Sequence, residues 1–401
     1  MISAIIKSIK TAIEYSYSEP NIVKNGNFNL PGVELVTDGN FTATGSELVT
    51  NGNFETNLDW SGLGTVWSIS GGSAICNGSQ SGNTALYQHN IYTVNKSYKT
   101  SIDVVVTTGT LKVLCGALPA TNLSIPSIEI TTSGTYEFSG NAFNDDNIWI
   151  VATVGFSGSV DNVSVKELGA AWTLGNGWSI IENKAKLVQV DTNNYLTQTI
   201  GTLVNAKNYK ITFDLDIISA TTTTIGISNT GAFGQLDVSD RFYTTSGTKT
   251  IYAVYDSSYP SFIRFVGGLN TEYTITNIAV KEVGQDWTLG AGWSIGDQKL
   301  IANDPTENTS QRGVFESGVS KYYKINLKVS DYTSGSFKVI TSGNTAQSQT
   351  FSANNDYEFE LLSNNPTDTD LIFSFDGDFI GSISEVSVKE RITESPELTK
   401  V

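Results

Sequence analysis

Three landmarks recur in the same order along this chain, and they constrain its fold more than any other feature. A tryptophan pair comes first: Trp60 and Trp67 in "DWSGLGTVWSI", Trp172 and Trp178 in "AWTLGNGWSI", Trp287 and Trp293 in "DWTLGAGWSI". A strand-like run follows, "SYKTSIDVVV" from Ser97, "NYKITFDLDI" from Asn208 and "YYKINLKVSD" from Tyr322. A third run closes each set: "DNVSVKEL" from Asp161, "TNIAVKEV" from Thr276 and "SEVSVKER" from Ser384. The second Trp and the closing Lys lie 99, 103 and 96 residues apart (67 to 166, 178 to 281, 293 to 389). Three ordered landmarks at nearly constant spacing mean three homologous units. We place them at residues 47–168, 169–284 and 285–392, with 393–401 as a tail and no linkers between units.

Each unit reads as β-structure. In "YKITFDLDIIS", Ile211, Phe213, Leu215 and Ile217 alternate with Lys210, Thr212, Asp214 and Asp216. Period-two alternation buries one face of a strand and wets the other. Turn signals such as "SGGS", "TSGT" and "TSGN" recur about every ten residues, so short strands follow one another closely. The 18 Phe, 17 Tyr and 7 Trp supply enough apolar volume for several cores. The expectation is an all-β chain of three two-sheet sandwiches. Net charge is −16 with no strong Lys/Arg cluster, which argues against nucleic-acid binding. No run of about 20 apolar residues exists, so no membrane-spanning helix is expected.

Upstream, a shorter repeat appears: "NIVKNGNF" from Asn21, "ELVTDGNF" from Glu34 and "ELVTNGNF" from Glu47, thirteen residues apart. Only the third adjoins a sandwich. The spare copies, within residues 21–46, are expected to form a collar or linker of small strands. Two other readings are open: each copy completes one sandwich, or the extra copies are tolerated duplications. Residues 1–20 are expected to hold a short amphipathic helix for docking or oligomerisation. Ile2, Ile6, Ile9 and Ile13 make its seam. Isoleucine at both seam positions favours trimers or larger assemblies.

The run "ELVTNGNFETNLDW…VWSISGG" together with "VDNVSVKEL" resembles the opening and closing strands of jelly-roll carbohydrate-binding modules. Units 2 and 3 match only from the Trp pair onward. The wording "WTLGxGWSI…VSVKE", in a Thr/Ser/Asn-rich tandem array, is similar to virion proteins of tailed bacteriophages: fibres, appendages and capsid decorations. The resemblance implies three tandem jelly rolls and a structural Ca²⁺ where first and last strands meet. Glu55 and Asp161 match its ligand places in unit 1, whereas Thr276 and Ser384 replace Asp161 elsewhere.

Chemistry is sparse. His89 is the one histidine, which argues against catalytic triads and histidine metal sites. The three units share no carboxylate pair, so we expect no enzyme. Trp149 in "NDDNIWIVAT" is the candidate carbohydrate platform, sharing a strand face with Asn147 and Val151. The six paired Trp recur in every unit and are expected to be core. Cys76 and Cys115 are expected to be buried thiols. The N-terminus lacks the pattern of a signal peptide. The expected function is a non-enzymatic virion structural protein. It is assembled in the host cytoplasm, attached to other virion proteins by its N-terminus, homotrimeric, and exposed outside the particle toward host-surface glycans. The alternative is a secreted or cell-surface glycan-binding protein.

Overall fold

In the computed structural model, residues 16–392 are described apart from 19, 116–126, 143–144, 190–193, 202, 221–224, 229–230, 234–240, 343, 365–368 and 376–377. The seam of Ile2, Ile6, Ile9 and Ile13 and the tail 393–401 lie outside the described residues. The fold is all-β, with three jelly-roll sandwiches, each pairing a six-stranded with a four-stranded antiparallel sheet. In the first, the larger sheet runs in the order Gly134–Asn141, Ser97–Thr108, Ser157–Leu168, Ser73–Cys76, Trp67–Ser70, and Thr44–Glu47 also pairs with Ser157–Leu168. Its smaller sheet is ordered Thr84–Gln88, Ile148–Ala152, Leu111–Cys115, Ser127–Ile130. Alternating residues of both sheets meet in the core, among them Ile102, Val104, Leu86, Ile148 and Ile150. All six paired Trp are buried, as packing residues should be.

The chain divides into two compact units: residues 34–206 with 211–280, and 1–33 with 207–210 and 281–401. The first octapeptide thus belongs with the third sandwich, although more than 250 residues separate them. The same pattern governs every copy. Strand Ser16–Tyr17, just ahead of the first octapeptide, pairs with Ile380–Ile392 of the third sandwich. Pro31–Glu34, leading into the second, pairs with Thr271–Val283 of the second sandwich. Thr44–Glu47, leading into the third, pairs with Ser157–Leu168 of the first. Residues 21–46 are therefore not a collar or linker. They are the opening segments of the second and third sandwiches, supplied in reverse order.

The octapeptide contacts explain its spelling. Its first residue staples the closing strand: Glu47 Oε1 accepts Val165 N–H at 2.8 Å, Glu34 Oε1 accepts Val280 N–H at 2.8 Å, and Asn21 Oδ1 accepts Val388 N–H at 2.8 Å. Its fourth residue is clamped through the backbone by a buried glutamine amide. Gln88 bonds both N–H and C=O of Thr50, Gln198 those of Thr37, and Gln311 those of Lys24. The glycine lets backbones touch, since a Cβ on Gly26, Gly39 or Gly52 would collide with the carbonyl of Val386, Ile278 or Val163. The N–H groups of these same three partners donate to the glycine carbonyls at 2.9–3.0 Å. The turn then places Phe28, Phe41 and Phe54 at positive φ (53°, 55° and 50°) and buries each ring. There they meet Trp287, Trp172 and Trp60 with centroids 5.1, 5.4 and 5.1 Å apart. Each of these indoles donates Nε1–H to the octapeptide's fifth carbonyl, at Asn25, Asp38 or Asn51.

Candidate functional site

The smaller sheet of the first sandwich carries the most distinctive surface chemistry. Trp149 lies in the strand Ile148–Ala152, opposite Tyr87 on one side and Leu114 on the other. Its neighbours Ile148 and Ile150 point into the core, so alternation sends Trp149 and Tyr87 to the outer face. Both are half-buried. Their rings stack with centroids 4.3 Å apart and planes at 27°. Trp149 Nε1–H donates to Asp145 Oδ2 at 2.6 Å. The Asn147 amide donates to both oxygens of that carboxylate at 2.8 and 3.1 Å, and Asp146 N–H donates to Oδ1 at 2.9 Å. His89 closes the cluster. Its Nδ1 lies 2.9 Å from Asn147 Oδ1, and its ring meets Tyr87 edge-on at 5.1 Å.

This arrangement fixes an aromatic ledge in one orientation. Donors to Asp145 hold the carboxylate, and the carboxylate holds the indole. A ledge of this kind stacks on the apolar face of a ring ligand, while the exposed His89 supplies a polar partner at its edge. The sequence signalled Trp149 and Asn147. Tyr87 and His89 came from the register of two strands that are distant in sequence, whereas Asp145 lies four residues before Trp149 in the same segment.

The equivalent positions in the other sandwiches follow from the glutamine clamp. The residue before Gln198 is Thr197, opposite Arg264, and the residue before Gln311 is Ser310, opposite Ile372. In the second sandwich the Arg264 guanidinium lies 4.6 Å from the Tyr195 ring and 4.3 Å from the Phe262 ring, with Nε–H donating to Thr197 Oγ1 at 3.2 Å. One fold position thus carries Trp–Tyr, Arg–Thr and Ile–Ser. Each pair faces out between buried neighbours on both of its strands, so the core fixes none of these pairs in particular.

The candidate calcium ligands sit on different elements. Glu55 is exposed beyond the Phe54 turn. Asp161 lies in the strand Ser157–Leu168, where it caps Asn162 N–H at 2.7 Å and faces Asp103 across the ladder. Among the described residues no group of three or more His, Cys, Asp or Glu side chains could hold a metal ion. Cys76 and Cys115 are free and buried.

No protein-family model matches the chain, and no curated protein matches it. Among solved structures, it is similar to the CBM22-1–CBM22-2 tandem domain of Paenibacillus barcinonensis Xyn10C: 10% identity, 60% of this chain, 99% of that one, TM-score 0.25. It is also similar to the triple jelly roll of an archaeal virus turret assembly: 13% identity, 84% of this chain, 91% of that one, TM-score 0.20. A protein of Sulfolobus Turreted Icosahedral Virus matches at 11% identity, over 83% of this chain and 90% of that one, with TM-score 0.20. At TM-scores this low, what those proteins bind or build says nothing about this chain.

Proposed function

We propose that this protein is a non-enzymatic structural component of a bacteriophage virion, a fibre, appendage or capsid decoration, whose first sandwich contacts glycans on the host surface. One observation carries the binding half of this reading. The outer face of the first sandwich holds a braced Trp149–Tyr87 stack at a position where the other sandwiches carry Arg264–Thr197 and Ile372–Ser310. A core must repeat in all three units, but a ligand site need not. The Ile2/Ile6/Ile9/Ile13 seam is the attachment or trimerising element, and in sequence it precedes Ser16–Tyr17, the strand that pairs with the third sandwich. Weak sugar contacts multiplied over a trimer then hold by avidity. The test is a glycan array probed with the full chain and with Trp149→Ala, beside immunogold labelling of particles. The expected result is binding to a defined glycan set, at least tenfold weaker in the variant, with gold on the virion surface. Binding that is unchanged by Trp149→Ala overturns the site, and particles that never label overturn the virion assignment.

A further inference from the structure

The seat that the third sandwich offers its octapeptide recognises eight residues and a short strand before them, and little else. Within it, Val386 and Val388 bond Gly26 and Asn21, Gln311 bonds Lys24 twice through the backbone, and Trp287 receives Phe28. Ser16 and Tyr17 add a ladder to Ile392 and Arg391. None of these contacts depends on the covalent path between seat and segment, and that path is long: Trp287 and Asn25 are 262 residues apart. The segment is also the first of the three copies along the chain. A sheet whose edge is completed by a segment this remote meets the condition for strand exchange between copies.

We propose that the first octapeptide is an exchangeable donor strand: the third sandwich of one copy takes residues 16–30 of a second copy in the same register as its own. The partner is thus the chain itself, joined head to tail through an added β-strand with a phenylalanine anchor. The inference is independent of the glycan reading, since it involves no residue of the first sandwich.

The test uses the full chain carrying Gly26→Val. Its own segment cannot seat, because the side chain collides with the Val386 carbonyl, while every seat residue is intact. A fluorescent peptide of residues 16–30 with the native sequence is titrated into this variant. The expected result is saturable 1:1 binding and a raised melting temperature for the third sandwich, followed by hydrogen exchange. A peptide that itself carries Gly26→Val is expected to give neither. In parallel, wild-type chain refolded at high concentration is expected to yield species larger than those it forms at low concentration, and Gly26→Val is expected not to form them. If Gly26→Val does not fold, Phe28→Ala, which removes the anchor and adds no bulk, takes its place in both arms. A folded variant that ignores the native peptide overturns the proposal, as does wild-type chain that forms no larger species after refolding at high concentration.

Discussion

Asp38 occupies a place that the other two octapeptides give to asparagine, Asn25 and Asn51, and the substitution leaves a mark. Its Oδ1 accepts Ala43 N–H at 2.9 Å, as Asn25 and Asn51 accept Leu30 and Thr56 N–H. Its Oδ2 is buried with no hydrogen-bond partner among the described residues, as is Asn25 Nδ2, but only the aspartate carries a charge there. Burial raises its pKa above the usual 3.8, against the lowering effect of its backbone bonds. A carboxyl with a raised folded pKa is a net cost while ionised, and the cost disappears once the pH falls below the unfolded value. Asp38→Asn is therefore expected to stabilise the second sandwich at pH 7, on the order of a few tenths of a kcal/mol because the group keeps part of its water. The gain should vanish below about pH 4, which thermal melts across pH would check. The thiols make a second residue-scale case. Burial first, against the bond to Thr100, pushes Cys115 up to about 11, and burial raises Cys76 as well. A reactive thiol needs accessible thiolate. Both cysteines are expected to ignore a thiol reagent until denaturant is added, and rapid labelling of native protein would contradict this.

At the scale of the element, the octapeptide is a portable opening strand whose function depends on where its phenylalanine lands. Removing a buried Phe ring costs about 3–5 kcal/mol in typical cores. Phe54→Ala is expected to weaken the first sandwich, Phe41→Ala the second and Phe28→Ala the third. Hydrogen exchange resolved along the chain would show each loss of protection at the partner segment as well, around Trp60, Trp172 or Trp287, the last two far away in sequence. Loss confined to the mutated octapeptide would contradict the assignment. Deleting residues 1–46 is a harsher version. As a collar or linker those residues would be dispensable to the sandwiches. Since they supply Phe28, Phe41 and two of the three glutamine-clamped segments, the deletion is expected to destabilise the second and third sandwiches, while the first loses only the Thr44–Ser46 part of its short Thr44–Glu47 strand and stays folded. Limited proteolysis should then leave a core of about residues 47–168.

For the whole molecule, the three closures are nested. The Trp-to-octapeptide bonds span 9, 134 and 262 residues in the first, second and third sandwiches. Each octapeptide closes on the nearest sandwich not already taken, so the connections enclose one another without crossing. Loop closure entropy grows only with the logarithm of length, so the span of 262 is about 3 kcal/mol harder to close than the span of 9. The difference falls mainly on the folding rate. A chain with residues 16–30 moved to just before Gly284 is expected to refold its third sandwich faster than the native chain, with little change in its final fold. Equal rates in a stopped-flow comparison would mean that the long closure is not limiting.

The sequence alone settled the three units, their β character and the buried Trp pairs. Each follows from local periodicity and from repetition, and both are written within about a hundred residues. It also singled out Trp149, because alternation along one strand assigns a face without any partner. The destination of the octapeptides was decided only by tertiary structure. All three copies carry the same anchors, so nothing in an octapeptide names its sandwich. The choice depends on which seat is open and how far the chain must loop to reach it, which is a property of the closed fold. The Tyr87 and His89 side of the Trp149 surround likewise came from cross-strand register, which brings together residues that no local pattern connects.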